Sequence, residues 1–204
     1  RMGDRDLGEF HLGVPGIHNV RNATAAIAIG LELEIPVDVI REGLAKFAGV
    51  DRRFQQRGQE RGITVIDDYG HHPTEIRATL AAARDCRFSR VHAIFQPHRY
   101  SRTMHLMDDF ARSFHSADHV YLLDIYAASE KPIEGITTRA LADRMTAFGH
   151  RSVHYVGSID GAVEAVAANA SVDDPAQSGM RPLDRFRPRQ PSDSVPPARN
   201  DRDP

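Results

Sequence analysis

From Ile63 to Ala168 the chain alternates short apolar runs with stretches of helical spacing, and no other feature limits its possible folds as tightly. The runs at 63–67, 91–95, 120–125 and 153–156 read as buried strands, and the stretches at 73–86, 104–116, 138–148 and 159–168 read as helices. Strands separated by helices of about 10 to 15 residues imply βαβ crossovers. The expected class is therefore α/β, with a mostly parallel sheet flanked by helices and right-handed connections.

Ahead of this block the pattern is different. Residues 7–13 alternate weakly, as a short strand would, and Val14-Pro15-Gly16 then breaks the backbone. Ile17 to Glu34 is rich in alanine and isoleucine at helical spacing. Pro36-Val37-Asp38 opens a second helix in which Val39, Ile40, Leu44 and Phe47 recur near the 3.6 period. Two packed helices are expected before Gly49. Behind the block, seven of the twelve prolines fall between Ser171 and Pro204, among balanced arginine and aspartate. Such a stretch buries too little apolar surface to offset its ordering entropy, which predicts a disordered tail over 171–204.

Composition removes several function classes. A net charge of −2 gives no case for bulk nucleic-acid binding. No apolar run approaches the roughly 18 residues of a membrane span, and no leader pattern is present. The single cysteine, Cys86, excludes an internal disulfide framework and any multi-cysteine metal site. Lys46 and Lys131 are the only lysines among 26 Lys+Arg, and neither lies in a Gly-x-x-x-x-Gly-Lys-Ser/Thr phosphate loop.

Two segments concentrate chemistry at the ends of predicted strands: Asp67-Asp68-Tyr69-Gly70-His71-His72-Pro73-Thr74-Glu75 and Gln96-Pro97-His98-Arg99-Tyr100-Ser101-Arg102-Thr103. In an open parallel sheet the carboxyl ends of the strands form the ligand crevice. His72 can cap the following helix, with Pro73 at its first position and Glu75 in its first turn, leaving free N–H groups and the positive dipole end toward the crevice. Capping uses only one of the two aspartates and two histidines. Arg99 and Arg102 are three apart, so both guanidiniums can face one ligand beside His98 and grip carboxylate or phosphate oxygens. The alternative is a solvated basic loop. The adjacent His71 and His72 lack the His-x-x-x-His spacing of a helical zinc pair, and a magnesium ion held mainly by ligand phosphates fits the sequence better than zinc.

Two further groups lie upstream. His18, Asn19 and Asn22 share one face of the first helix, where side-chain amides can read a planar heterocycle, although capping alone would account for one of the three. Arg52-Arg53-Phe54 stands where the helical part meets the α/β part, and such junctions favour ligand clefts.

Taken together, Val14 to Val20, Gly49 to Phe54, Asp67 to Glu75 and Gln96 to Thr103 stand in the order and spacing of the Mur ligases, which the chain resembles from about Leu7 to about Ala168. The resemblance implies a Rossmann-like C-terminal domain over 51–170, preceded over 1–50 by the helical end of a central ATP-binding domain. It implies an ATP- and Mg2+-dependent ligase of bacterial cytoplasmic peptidoglycan assembly that joins L-alanine to UDP-N-acetylmuramate through an acyl phosphate. By the same resemblance His18, Asn19, Asn22, Arg53 and Asp68 would bind ATP. Tyr69, His71, His98, Arg99 and Arg102 would receive the substrates, and Arg53, His71 and His98 would act in catalysis.

The departures from the family pattern matter equally. The phosphate loop, metal ligands and UDP-binding domain of such ligases are not in this sequence, and the family's closing strand, of the type Leu-Thr-Leu-Gly-Ala-Gly, is replaced by the proline-rich stretch. The expectation is a C-terminal fragment, inactive alone, whose partners are its own missing N-terminal and central domains and whose tail is out of frame. The competing readings are a binding-only nucleotide or amino-acid module, the related ligase that recycles murein tripeptide, and a phosphohydrolase with Asp67 or Asp68 as nucleophile.

Overall fold

A computed structural model describes residues 6–169. The tail expected to be disordered lies outside the described residues.

Two helices open the chain, α1 (Ile17–Glu32) and α2 (Val37–Lys46). They pack where Gly30 meets Ile40: a Cβ at Gly30 would come within 2.8 Å of Ile40 Cδ1, so a larger residue there would push the Ile40 side chain aside. No strand forms over 7–13, contrary to the weak alternation there. That segment is held by Arg41 instead, which donates to the carbonyls of Leu7 and Glu9. Its apolar residues are too few to make a sheet edge worth pairing.

The next elements are β1 (Gln55–Glu60) and β2 (Ile63–Asp67), an antiparallel hairpin. β1 was not expected, because Gln-Gln-Arg-Gly-Gln-Glu has no apolar alternation and four of its six residues are exposed. Its turn explains it. Arg61 at φ 48 and Gly62 at φ 79 give the two successive left-handed residues that a tight two-residue hairpin requires.

The remaining elements are α3 (Pro73–Asp85), β3 (His92–Phe95), α4 (Tyr100–His105), α5 (Met107–Ala111), β4 (His119–Leu123), α6 (Thr138–Ala147), β5 (Val153–Gly157) and α7 (Ile159–Asn169). The single helix expected over 104–116 starts earlier, at Tyr100, and is interrupted at Leu106, whose φ of −119 leaves the helical region. β3, β4 and β5 form a parallel sheet in the order β3-β4-β5, as the alternation predicted. β2 does not join it. Between β2 and β3 lies a cavity of about 330 Å³, lined by Ile63 and Ile66 on one side, Ile94 and Phe95 on the other, Leu80 of α3 and Val166 of α7. The two chemistry-bearing segments therefore follow strands of separate sheets, not the one sheet edge the sequence suggested.

The core lies between the parallel sheet and the helices α3, α5 and α6. Phe95 packs its ring 5.6 Å from that of Phe110 and 5.1 Å from that of Phe114, with Val120, Leu122, Leu141 and Met145 around them. Thr138, buried at the start of α6, donates its hydroxyl to the Leu123 carbonyl at 2.9 Å and registers that helix against β4. Phe110 is fully buried, and Phe110→Ala is expected to cost about 3–5 kcal/mol, read from the urea midpoint.

Imidazoles line the amino-terminal end of the same sheet. The rings of His92 and His119 stack at 4.7 Å, those of His119 and His154 at 5.9 Å, and Ser152 Oγ bridges His119 Nδ1 and His154 Nε2 at 2.7 and 2.8 Å. Burial first, then the positive neighbours, push the His92 and His119 values below the ordinary histidine range. The unfolded chain then takes up protons that the folded chain refuses, so stability drains as pH falls through about 6.5 and levels off below the folded values. Urea midpoints are expected to fall between about pH 7.5 and about pH 5.5, with a shallower slope in His92→Gln/His119→Gln; an unchanged slope would contradict this origin.

Candidate functional site

Asp68 leaves β2 and at once turns its carboxylate back on the main chain. Oδ2 accepts from Phe54 N at 2.9 Å and Oδ1 from Gly70 N at 2.7 Å, which ties the entry of β1 to the exit of β2. A Cβ at Gly70 would come within 2.8 Å of Asp68 Oδ1, so glycine is needed for the approach. Structural work thus takes part of the hydrogen-bonding capacity of Asp68, although each carboxylate oxygen keeps a further acceptor direction.

The start of α3 is built as its sequence predicts. His72 caps the helix, accepting from Thr74 N at 3.3 Å, and Pro73 occupies the first turn. Glu75 completes the reciprocal arrangement: Oε2 accepts from the His71 and His72 amides at 3.1 Å each. Its other oxygen accepts from Arg53 Nη1 at 3.2 Å. Burial works against ionising Glu75, but the His71 amide and the Arg53 guanidinium outweigh it and hold the carboxyl below its ordinary range. Arg53 is thereby aimed across the junction, and the guanidiniums of Arg52 and Arg53 lie 4.7 and 6.0 Å from the Tyr69 ring.

These contacts frame a cavity of about 710 Å³ between the helical part and the α/β part. His18, Asn19, Asn22, Arg53 and Asp68 all line it, so residues up to fifty positions apart in sequence share one cavity. Asn19 donates to the Pro15 carbonyl at 2.7 Å, which sets its amide, and His18 Nδ1 is buried without a hydrogen-bond partner.

The second group gathers at the end of β3. His98 pairs with Tyr126 in an isolated parallel bridge, and their rings stack at 5.4 Å. Arg102 Nη1 lies 3.4 Å from His98 Nδ1. A guanidinium can only donate, so this contact leaves the proton of neutral His98 on Nε2. Desolvation first, then the charges of Arg102, Arg99 and His71, keep the imidazole below its ordinary value. His71 Nδ1 lies 3.1 Å from the Tyr69 carbonyl, so in this contact Nδ1 carries the hydrogen and Nε2 is the acceptor.

Sequence reasoning missed Glu130 and Tyr126, from the loop after β4. Tyr126 O accepts from Arg99 N at 2.8 Å, Tyr126 N donates to Pro97 O at 2.8 Å, and Glu130 accepts from both the amide and the hydroxyl of Ser101. No local motif marks either residue; only the fold places the loop there.

With fold and site together, comparison with known proteins is informative. The profile of the Mur ligase glutamate ligase domain matches residues 52–175, and the chain belongs to the Mur ligase family. Among curated relatives it is 60% identical over 191 residues to the UDP-N-acetylmuramate–L-alanine ligase of Solibacter usitatus, covering 89% of this chain and 40% of that protein. It is 61% identical over 170 residues to the enzyme of the same name from Koribacter versatilis, covering 83% of this chain and 36% of the relative. The chain therefore spans well under half the length of these relatives. Among solved structures it resembles the UDP-N-acetylmuramate-alanine ligase of Thermotoga maritima, with a TM-score of 0.62 and 33% identity over 74% of this chain and 32% of that one. A murein peptide ligase from Psychrobacter arcticus gives 0.58 and 29%, over 81% of this chain and 34% of that one.

Because Glu75 closes the cap of α3 and pairs with Arg53, Glu75→Ala is expected to lower stability by about 1–2 kcal/mol, read from urea unfolding. An effect within experimental scatter would show that the cap is redundant.

Proposed function

We propose that this chain supplies the acceptor side, and the nucleotide-contacting junction, of an ATP-dependent ligase that joins L-alanine to UDP-N-acetylmuramate in bacterial cytoplasmic peptidoglycan synthesis. One observation carries the reading: the junction cavity is lined by His18, Asn19 and Asn22 from the helical part and by Arg53 and Asp68 from the α/β part. The names of the high-identity relatives support it. In this reading residues 1–50 belong to the central ATP-binding domain and 51–170 form the C-terminal domain, which accords with a profile match that starts at residue 52.

The reaction would run in two steps. The γ-phosphoryl group of ATP passes to the muramoyl carboxylate, giving ADP and an acyl phosphate. The amine of L-alanine then attacks the acyl carbon, and collapse of the tetrahedral intermediate expels phosphate and leaves the amide. Asn19 and Asn22 would address the adenine, and Asp68 a ribose hydroxyl through its remaining acceptor capacity. Arg53, held by Glu75, has further N–H groups for phosphate oxygens. His71, His98, Arg99 and Arg102 would orient the carboxyl and the amino acid and offset the charge that builds on the tetrahedral oxygens; Tyr69 would line their approach.

Among the described residues there is no cluster of three or more His, Cys, Asp or Glu that could hold a metal ion. They also contain no helix long and apolar enough to cross a membrane.

Two measurements test the proposal. The chain alone is expected to release no ADP in the presence of ATP, UDP-N-acetylmuramate and L-alanine, because its sequence has no phosphate-loop lysine. Placed into the Solibacter usitatus relative in exchange for the matching segment, residues 6–169 are expected to restore ligation. In that chimera Asn22→Ala should raise KM for ATP about tenfold, the effect of one lost hydrogen-bonding group. Turnover by the chain alone, or an unchanged KM for ATP, would overturn the assignment.

A further inference from the structure

We infer that Glu130 is the positioning residue for the His98-Arg99-Arg102 group, and that it governs engagement of the amino acid and the carboxyl acceptor without touching nucleotide use. The inference rests on the ligase reading for its functional half and on the geometry alone for its structural half.

Glu130 grips the second segment at several points. Its Oε1 accepts from Ser101 Oγ at 2.6 Å and its Oε2 from Ser101 N at 2.9 Å, while Arg99 Nη1 stands 3.9 Å from Oε1. The Ser101 hydroxyl, with the Ser101 and Tyr100 amides, holds the carboxyl below its ordinary range, so Glu130 is an anion at neutral pH. The backbone on both sides is bent to make this contact. Arg99 sits at φ 72, and Ala128 and Ser129 at φ 48 and 70, left-handed conformations that non-glycine residues adopt only when their surroundings impose them.

The charge arrangement explains why a carboxylate stands here. Arg99 and Arg102 crowd His98 with positive charge, and Glu130 is the anion that acts on the imidazole in the opposite sense. At 3.9 Å, Glu130 steers the Arg99 guanidinium without forming a hydrogen bond to it. The N–H groups of Arg99 stay available to an incoming carboxylate, while its backbone is fixed by Tyr126. Removing Glu130 would free the Ser101 anchor and leave Arg99 and Arg102 to repel each other.

The test has two arms. In the full 204-residue chain, amide hydrogen exchange at Ser101 is expected to quicken about tenfold or more in Glu130→Ala and less in Glu130→Gln, which can still accept, with Val120 and Leu122 unchanged as evidence of folding. Wild-type exchange at Ser101 in both variants would overturn the clamp. In the ligase chimera, Glu130→Ala should raise KM for L-alanine and UDP-N-acetylmuramate about tenfold and leave KM for ATP within about twofold, with partial rescue by Glu130→Asp. A parallel rise in all three constants would overturn the positioning role. Failure of the unmutated chimera to ligate would count against the ligase reading, and the exchange arm would still decide the clamp.

Discussion

The site depends first on the carboxylate of Asp68. By accepting from the amides of Phe54 and Gly70 it joins the point where the chain enters the β1–β2 hairpin to the point where it leaves. The tie adds to the β1–β2 pairing and to the Tyr69 N–Arg52 O hydrogen bond, which alone would leave Arg53 and His71-His72 less closely fixed to each other. With it, Glu75 can reach Arg53 and both histidine amides at once, and the helical N-terminal part meets the α/β part along a defined crease. Buried or half-buried carboxylates that accept main-chain N–H groups are among the stronger local restraints a protein has.

The two halves of the site are then held differently. Around the junction cavity the restraint is helical: a capped α3, a glycine-mediated contact of α1 with α2, and amides presented along one helix face. Around His98 the restraint is a loop contact. Tyr126 and Glu130 fix a short interrupted helix whose N-cap residue, Arg99, has a positive φ. The first half suits a rigid planar group read by amides; the second suits anionic oxygens read by guanidinium and imidazole. Under the proposed function, the first half would hold the nucleotide and the second would receive the amino acid.

Local chemistry made part of this legible. His72-Pro73 with Glu75 three residues beyond the cap is a pattern that works through nearest neighbours, and it forms as read. The parallel pairing of β3, β4 and β5 follows from apolar runs separated by helices, the pattern of βαβ crossovers. The hairpin was invisible because Gln55–Glu60 pairs through its backbone and exposes most of its polar side chains. The break at Leu106 lay inside a run whose periodicity continues, so nothing local announced it. Glu130 sits twenty-nine residues from Ser101 in a loop without periodicity, and no spacing rule could couple them.

By itself the sequence determined the alternation of strands and helices after Ile63, the helix cap, the lack of a phosphate loop and the inventory of groups able to bind anions and heterocycles. These depend on periods of two and 3.6 and on residue chemistry, which act over a few positions. Tertiary structure alone decided that β2 pairs with β1 and stays apart from β3, and that Asp68 spends part of its capacity on the backbone. It also decided that Asn22 and Asp68 line one cavity, and that Glu130 stands beside Arg99. Those outcomes turn on which edges and loops meet after collapse, a long-range choice set by packing and hydrogen-bond satisfaction rather than by any local pattern.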